Sequence, residues 1–371
     1  MTKSSLLLRE ASALQVISMA LAVMISCSSC SRQTEADPAT SRAPQTNSVA
    51  GTHANDVSIG TKFSHTLPLG LPEYHVPSSN PMTVEKVELG RKLFFDTLLS
   101  VDQTMSCATC HDPEKGWSNG EQFALGTNGL PGKRNVPTIV NAAYYRSLFW
   151  DGRSGSLEGQ ALGPIMNAGE MAMPSRQELV DRLAGHDEYP AMFAQAFADG
   201  LTANNVARAI ACYERTIVAG NSPYDCYVAG DESAMSESAV RGMKLFLDKR
   251  KSKCVICHEP PTFTAMFYHN LGVGMDQDQP DYGRFEVTKL ESNKGKFKVP
   301  TVRDVKDTAP YMHDGSIATL EEVVEFYDKG GIPNRYLSEE MRGKLNLTKQ
   351  EKQDLVTFMV EGLSSDDQPT P

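Results

Sequence analysis

The chain has little tryptophan, no sustained strand-like alternation and no long run of any one residue class. Trp117 and Trp150 are the only tryptophans in its 371 residues. No unbroken apolar stretch reaches the roughly 18 residues a spanning helix needs, which excludes a polytopic membrane protein. Lys and Arg number 36 against 46 Asp and Glu, so the net charge is −10. Without a long basic run, binding of nucleic acid through phosphate contacts is not expected. Period-two alternation is not maintained over any segment, so the expected class is mainly α. What remains is an ordinary globular composition, 40% hydrophobic and 22% charged, long enough for about two domains of roughly 150 residues each.

The cysteines are the informative minority. There are eight: Cys27, Cys30, Cys107, Cys110, Cys212, Cys226, Cys254 and Cys257. A chain this long can build a core without disulfide staples, so spacing matters more than the even count. Cys107-Ala108-Thr109-Cys110-His111 and Cys254-Val255-Ile256-Cys257-His258 are both CxxCH motifs. Such a motif attaches c-type haem: its thiols form thioethers and the adjoining His reaches the iron. Zinc is the competing reading for four Cys and two His. It is disfavoured because each motif is self-contained and 147 residues separate them. Cys212 and Cys226 flank a predicted helix end and loop, and a disulfide is open to them in an oxidising compartment.

The beginning of the chain reads as an export signal. Lys3 and Arg9 precede an apolar stretch from Ala11 to Ile25, the pattern of a signal peptide over 1–26. Met24-Ile25-Ser26-Cys27 resembles a lipobox, so Cys27 is either a lipid anchor or, after ordinary cleavage, a thiol like Cys30. Residues 27–70 begin with a Ser-, Thr-, Ala-, Asn- and Gln-rich stretch that lacks large apolar side chains, and they are expected to form a flexible tether. The expected location is the periplasm, with membrane contact only through an anchor at Cys27.

The remainder divides into two similar halves, 71–232 and 233–371. Gly90-Arg91-Lys92-Leu93-Phe94-Phe95-Asp96 precedes the first motif, and Gly242-Met243-Lys244-Leu245-Phe246-Leu247-Asp248 precedes the second. Val136-Pro137-Thr138, Asp151-Gly152 and Leu157-Glu158 return as Val299-Pro300-Thr301, Asp314-Gly315 and Leu320-Glu321, at identical Pro-to-Asp and Asp-to-Leu spacings. This is a duplicated haem-bearing domain. Helices are expected over Val84–Phe95 and Val240–Leu247. Capping boxes are expected at Ser175/Glu178, Thr319/Glu322 and Thr348/Glu351. Val206, Ile210, Tyr213 and Ile217 form an apolar stripe that reads as core. One position breaks the duplication. Seven residues after Leu157 stands Pro164, which has no donor; seven after Leu320 stands Tyr327, whose phenolate can ligate iron. Outside a haem context Tyr327 would read as a core tyrosine. Met275 and Met312 are competing ligands for the second iron.

These features resemble the bacterial dihaem cytochrome c peroxidase superfamily, which includes MauG, over roughly residues 70–365. The resemblance rests on Leu93-Phe94-Phe95-Asp96, Phe149-Trp150-Asp151-Gly152-Arg153, Leu157-Glu158-x-Gln160, Pro164 and Glu170-Met171. In the second half it rests on Asp281-x-Gly283-Arg284, Val299-Pro300-Thr301-x-Arg303 and Ala309-Pro310-Tyr311-Met312-His313-Asp314-Gly315. It implies two tandem cytochrome c-like domains, each with one covalent haem c, the haems lying at or near the domain interface. The first domain would bind hydrogen peroxide and the second transfer electrons. By the same resemblance Trp150 bridges the haems, Glu170 handles protons during O–O cleavage and Gln160 is its distal neighbour. His111 ligates the first iron, and His258 with Tyr327 the second. Calcium is implied at Asn135, Thr308 and Pro310.

Two departures from the ordinary peroxidases point to the MauG-like branch. No His occurs from 112 to 185, where those enzymes place a distal His, and Tyr327 stands where they have Met. The resemblance then implies a peroxide-driven, dual high-valent haem pair that oxidises a periplasmic protein. The alternatives are a peroxidase drawing electrons from a small cytochrome c or copper protein, and a non-enzymatic dihaem carrier. MauG itself has a Trp two residues before the second CxxCH. Here that residue is Ser252, so any relay to a partner takes another route.

Overall fold

Four of the five longer helices of the first half open on a hydroxyl that accepts from a first-turn N–H, the one at Tyr189–Ala196 being the exception. In the computed structural model, which describes residues 59–365, Thr83 caps α1 (Val84–Phe95), its hydroxyl accepting from Lys86 N at 3.3 Å. The export signal, the Cys27 anchor and most of the tether lie outside the described residues. The first CxxC forms the single turn α2 (Cys107–Cys110). Ser156 caps α3 (Leu157–Met166) and Ser175 caps α4 (Arg176–Ala184). Then follow α5 (Tyr189–Ala196) and α6 (Ala203–Glu214). The expected box at Ser175 is only half made. Its hydroxyl accepts from Glu178 N at 3.0 Å, but the Glu178 carboxylate turns to Arg182, 3.6 Å away.

The second half repeats the plan. After α7 (Pro223–Val228) comes α8 (Glu237–Phe246), which starts three residues before the expected Val240 because Ser236 supplies the cap. The second CxxC forms α9 (Cys254–Cys257), followed by α10 (Arg284–Thr288), α11 (Leu320–Lys329) and α12 (Lys349–Thr357). Both Thr319/Glu322 and Thr348/Glu351 are reciprocal capping boxes. Among the described residues the only sheet is an antiparallel pair, β1 (Tyr268–His269) with β2 (Phe297–Lys298). The fold is mainly helical, as the missing alternation requires.

The duplication appears as two equivalent helix crossings. α1 packs on α6, and α8 on α12. A Cβ on Gly90 would lie 1.9 Å from Ala209 O, and one on Gly242 would lie 1.9 Å from Asp354 O. Glycine at these two places lets the backbones touch. Beside each crossing sits an aromatic triad. Phe94 lies 5.3 Å from Tyr213 and 6.0 Å from Trp117; Phe246 lies 5.4 Å from Phe358 and 5.9 Å from Phe263.

Buried apolar side chains gather in two clusters, one from Leu89 to Ala219 and one from Tyr224 to Leu363. Val206, Ile210, Tyr213 and Ile217 all belong to the first, as core residues. α7 packs with the second cluster although it precedes the 233 boundary drawn from the sequence. Tyr224 enters that cluster, and Asp225 forms a two-pronged, buried pair with Arg303 at 2.7 and 2.8 Å. The same arrangement corrects the disulfide expectation. Cys212 and Cys226 are both buried, and no disulfide joins them. Cys212 on α6 points its thiol at Asn80 Oδ1, 3.6 Å away, whereas Cys226 leaves with α7.

Candidate functional site

The two CxxCH turns adopt the same local geometry. In each, the His N–H donates to the carbonyl of the first Cys at 2.9 Å, His111 to Cys107 and His258 to Cys254. The ring is then fixed by a second bond: His111 Nδ1 lies 3.1 Å from Trp117 O, and His258 Nδ1 lies 3.2 Å from Phe263 O. A carbonyl only accepts, so Nδ1 carries the proton and Nε2 keeps its lone pair. Burial reinforces neutrality, lowering the pKa of His111 and bringing that of His258 to about 4. Two thiols and an oriented, neutral imidazole on one turn are the donor set that covalent haem requires.

The surroundings fit such a group. A largely apolar cavity is lined by Cys254, Cys257, His258 and Tyr327, with Leu320 and Val324 among its walls. The first site carries buried polar atoms without hydrogen-bond partners among the described residues, Trp117 Nε1, Tyr213 Oη and Glu214 Oε2. Burial pushes the Glu214 carboxyl up to about 8, so it is held protonated. Were it ionised it would raise the Cys107 thiol pKa, which places it beside the first turn.

The inequality between the halves is structural as well as sequential. α3 and α11 are both ten residues long and begin at Leu157 and Leu320, so Pro164 and Tyr327 are the eighth residue of equivalent helices. Tyr327 faces the cavity, and burial, then the neighbouring Cys257 and Cys254, push its hydroxyl pKa upward. A cation is therefore needed to draw out the phenolate. Met312 also lines this cavity, whereas Met275 does not.

Trp150 lies on the wall of the same cavity. Its Nε1 donates to Asn135 O at 2.8 Å, its carbonyl accepts from Lys298 N at 2.7 Å, and its ring meets His313 edge-on at 6.5 Å. Long-range contacts clamp this segment against the second half. Arg134 bridges Asp151 at 2.7 Å and Asp281 at 2.6 Å, and Arg284 donates to the carbonyls of Asp151 and Gly152. At Gly152, with φ of +67°, a Cβ would collide with the Tyr268 hydroxyl.

Glu170 sits in a turn built by Asn167. Asn167 Oδ1 accepts from Gly169 N at 2.9 Å, which forces Nδ2 toward Glu170 Oε1, 2.7 Å away. From the other side Thr127 N donates to Glu170 O at 2.7 Å. Burial raises the Glu170 pKa, while the Arg153 charge and the Asn167 bond oppose the rise. Arg153 is itself stacked on Phe149, 3.5 Å from the ring centroid. Phe149, Arg153 and Asn167 line a groove open to solvent. Gln160 lies half-buried on α3 without a side-chain hydrogen bond among the described residues. The residue that holds Glu170 is Asn167, which helical spacing does not single out.

Asn135, Thr308 and Pro310 line the same cavity as Cys254, His258 and Tyr327. Asn135 Nδ2 donates to Glu121 O at 3.0 Å, which turns Oδ1 away as an acceptor. Three neutral oxygens are a sparse set for calcium, whose usual shell is about six to eight oxygens. Among the described residues no three His, Cys, Asp or Glu side chains cluster as a metal site.

A mainly helical, duplicated chain with two CxxCH turns, each presenting a preset imidazole, defines a c-type cytochrome with a site in each half. The sequence profile described as di-haem cytochrome c peroxidase matches residues 84–233. The MauG protein of Methylophilus methylotrophus is 40% identical over 289 residues, covering 76% of this chain and 84% of that protein. The cytochrome c551 peroxidase of Nitrosomonas europaea is 32% identical over 321 residues, covering 85% of this chain and 95% of that one. A MauG-like protein associated with microbial copper homeostasis superposes with a TM-score of 0.75 at 31% identity, covering 82% of this chain and 96% of that structure. The chain belongs to the dihaem cytochrome c peroxidase and MauG family. It is accordingly a dihaem peroxidase or oxidase with haem c cofactors. No helix among the described residues is long and apolar enough to cross a membrane.

Proposed function

We propose that this protein is a MauG-like, peroxide-dependent oxidase of a periplasmic protein partner. The observation that carries the reading is the difference between equivalent helices: Pro164 on α3 offers no ligand, and Tyr327 on α11 faces the cavity of Cys254, Cys257 and His258. In this reading Cys107, Cys110 and His111 hold the first haem, and Cys254, Cys257, His258 and Tyr327 the second. The haems supply the reduction of peroxide and the storage of its two oxidising equivalents.

The remaining roles belong to the chain. Glu170, when ionised, takes a proton from one peroxide oxygen and returns it to the other, so that water is the leaving group. Asn167 holds one carboxylate oxygen and leaves the other for the substrate. Gln160, on the same helix as Pro164, lines the peroxide's approach. Trp150, anchored through Asn135 and Lys298, supplies an aromatic path between the halves. Calcium at Asn135, Thr308 and Pro310 would steady that junction. Tyr327, as phenolate, stabilises higher oxidation states better than a neutral thioether.

The test is to mix the diferric holoprotein with hydrogen peroxide without prior reduction. A persistent near-infrared band is expected, and Tyr327→Phe should abolish it. No band, together with rapid turnover of reduced cytochrome c, would replace this reading by peroxide detoxification. Two six-coordinate haems inert to peroxide would make the protein a carrier.

A further inference from the structure

We propose that the loop entering the second CxxCH is a docking surface for an acidic redox protein; this rests on the reading that the second half exchanges electrons with a protein partner. Lys249, Arg250, Lys251 and Lys253 place four cations in five positions, and Lys244 stands one turn earlier on α8. Within 244–253 Asp248 is the only acid, so five cations less one give +4 in a chain whose net charge is −10.

Little of this charge is neutralised internally. Lys251 reaches Glu351 at 3.4 Å. Lys244, Lys249, Arg250 and Lys253 have no ion-pair partner among the described residues. Several cations elsewhere in this half are held by carboxylates, among them Arg241 by Asp354 at 2.9 Å, Lys352 by Asp328 at 2.6 Å, and Arg303 by Asp225 at 2.7 Å. Asp248 is occupied with the backbone, accepting from Arg250 N at 2.7 Å and Lys251 N at 3.0 Å. It shapes the loop rather than pairing with the side chains.

The loop is also rigidly joined to the haem attachment. Ser252 is buried and its hydroxyl bonds Leu245 O. Lys253, in the left-handed region at φ 62°, is the N-cap of α9 and accepts from Ile256 N at 3.0 Å. The cations therefore stand at a fixed place next to Cys254. Clustered like charges repel, and a complementary acidic patch relieves that repulsion on docking while steering the approach. A partner seated here is brought to the part of the surface nearest the second attachment turn, which suits electron transfer.

Two probes of opposite charge separate the outcomes: an acidic plastocyanin and a lysine-rich cytochrome c, each titrated into the diferric holoprotein without peroxide. The plastocyanin should bind, with affinity falling about tenfold or more between about 10 and about 200 mM ionic strength. Lys249→Glu with Arg250→Glu should weaken it about tenfold or more. Both side chains are exposed, and of this pair the Asp248 turn uses only the Arg250 backbone N–H, so haem spectra and melting should be unchanged. Lys289→Glu with Arg335→Glu, exposed cations of other segments, should leave binding within about twofold. Tighter binding of the lysine-rich cytochrome, equal loss in both double variants, or binding of phosphatidylglycerol vesicles but not plastocyanin through this loop would overturn the proposal. Peroxide is then added. Reduced plastocyanin that binds to a diferric protein giving no near-infrared band with peroxide defeats the proposed function and leaves the docking surface standing. Oxidation unchanged in Lys249→Glu/Arg250→Glu defeats the docking surface and leaves the function standing.

Discussion

Replacing Asn167 by Ala removes one side chain that makes two bonds, to Gly169 N at 2.9 Å and to Glu170 Oε1 at 2.7 Å. A hydrogen bond to a charged group is worth about 1.5–3 kcal/mol, and exposure of Asn167 argues for the lower end. At about 1.4 kcal/mol per tenfold, the second-order rate with peroxide should fall about tenfold. The pH profile carries the diagnostic. The Asn167 donor stabilises ionised Glu170 and so lowers its pKa against the rise that burial imposes. Without the donor the pKa climbs further, less Glu170 is ionised at a given pH, and the acid limb moves to higher pH. Asn167→Asp should move it further still, because it sets a second carboxylate where the amide was. Stopped-flow mixing of diferric protein with peroxide across pH 4–8 measures both quantities. A lower rate with an unshifted acid limb would show that Asn167 only supports the turn, and an unchanged rate would refute its role altogether.

Gly90→Ala and Gly242→Ala each drive a Cβ to 1.9 Å from a backbone oxygen, so the helices must part. Melting followed by circular dichroism should show losses of about 2 kcal/mol or more at each site; an unchanged midpoint would contradict the crossing. Arg303→Met leaves Asp225 buried without its two-pronged partner, and should cost about 3–5 kcal/mol in denaturant unfolding, with Asp225→Leu in the same chain recovering part of it. Peptide mapping without reduction should recover no fragment that links Cys212 to Cys226. Such a fragment would restore the disulfide.

What the sequence made legible was what is local or repeated. CxxCH is a covalent instruction within five residues, and the turn that presents His111 recurs at His258. Tyr327 and Pro164 could be paired because equal spacings in two copies give a register without coordinates. Caps at Thr319 and Thr348 follow from side chains three residues apart. The missed features depend on where distant segments meet. Asn167 reaches Glu170 only because Gly169 N claims its carbonyl oxygen, whereas the family resemblance implied Gln160 as the distal neighbour. Cys212 and Cys226 are 14 residues apart in the chain, yet α7 turns away into the second cluster. The Arg134 clamp on Asp151 and Asp281 joins residues that nothing in their local sequence relates.

In the proposed function the duplicated halves would hold their haems unequally, the first through Cys107, Cys110 and His111 and the second through Cys254, Cys257, His258 and Tyr327. Low-temperature electron paramagnetic resonance of the diferric holoprotein tests this inequality most directly. One high-spin and one low-spin signal are expected, with the low-spin signal alone altered in Tyr327→Phe. Two low-spin signals, or a low-spin signal untouched by that substitution, would contradict it.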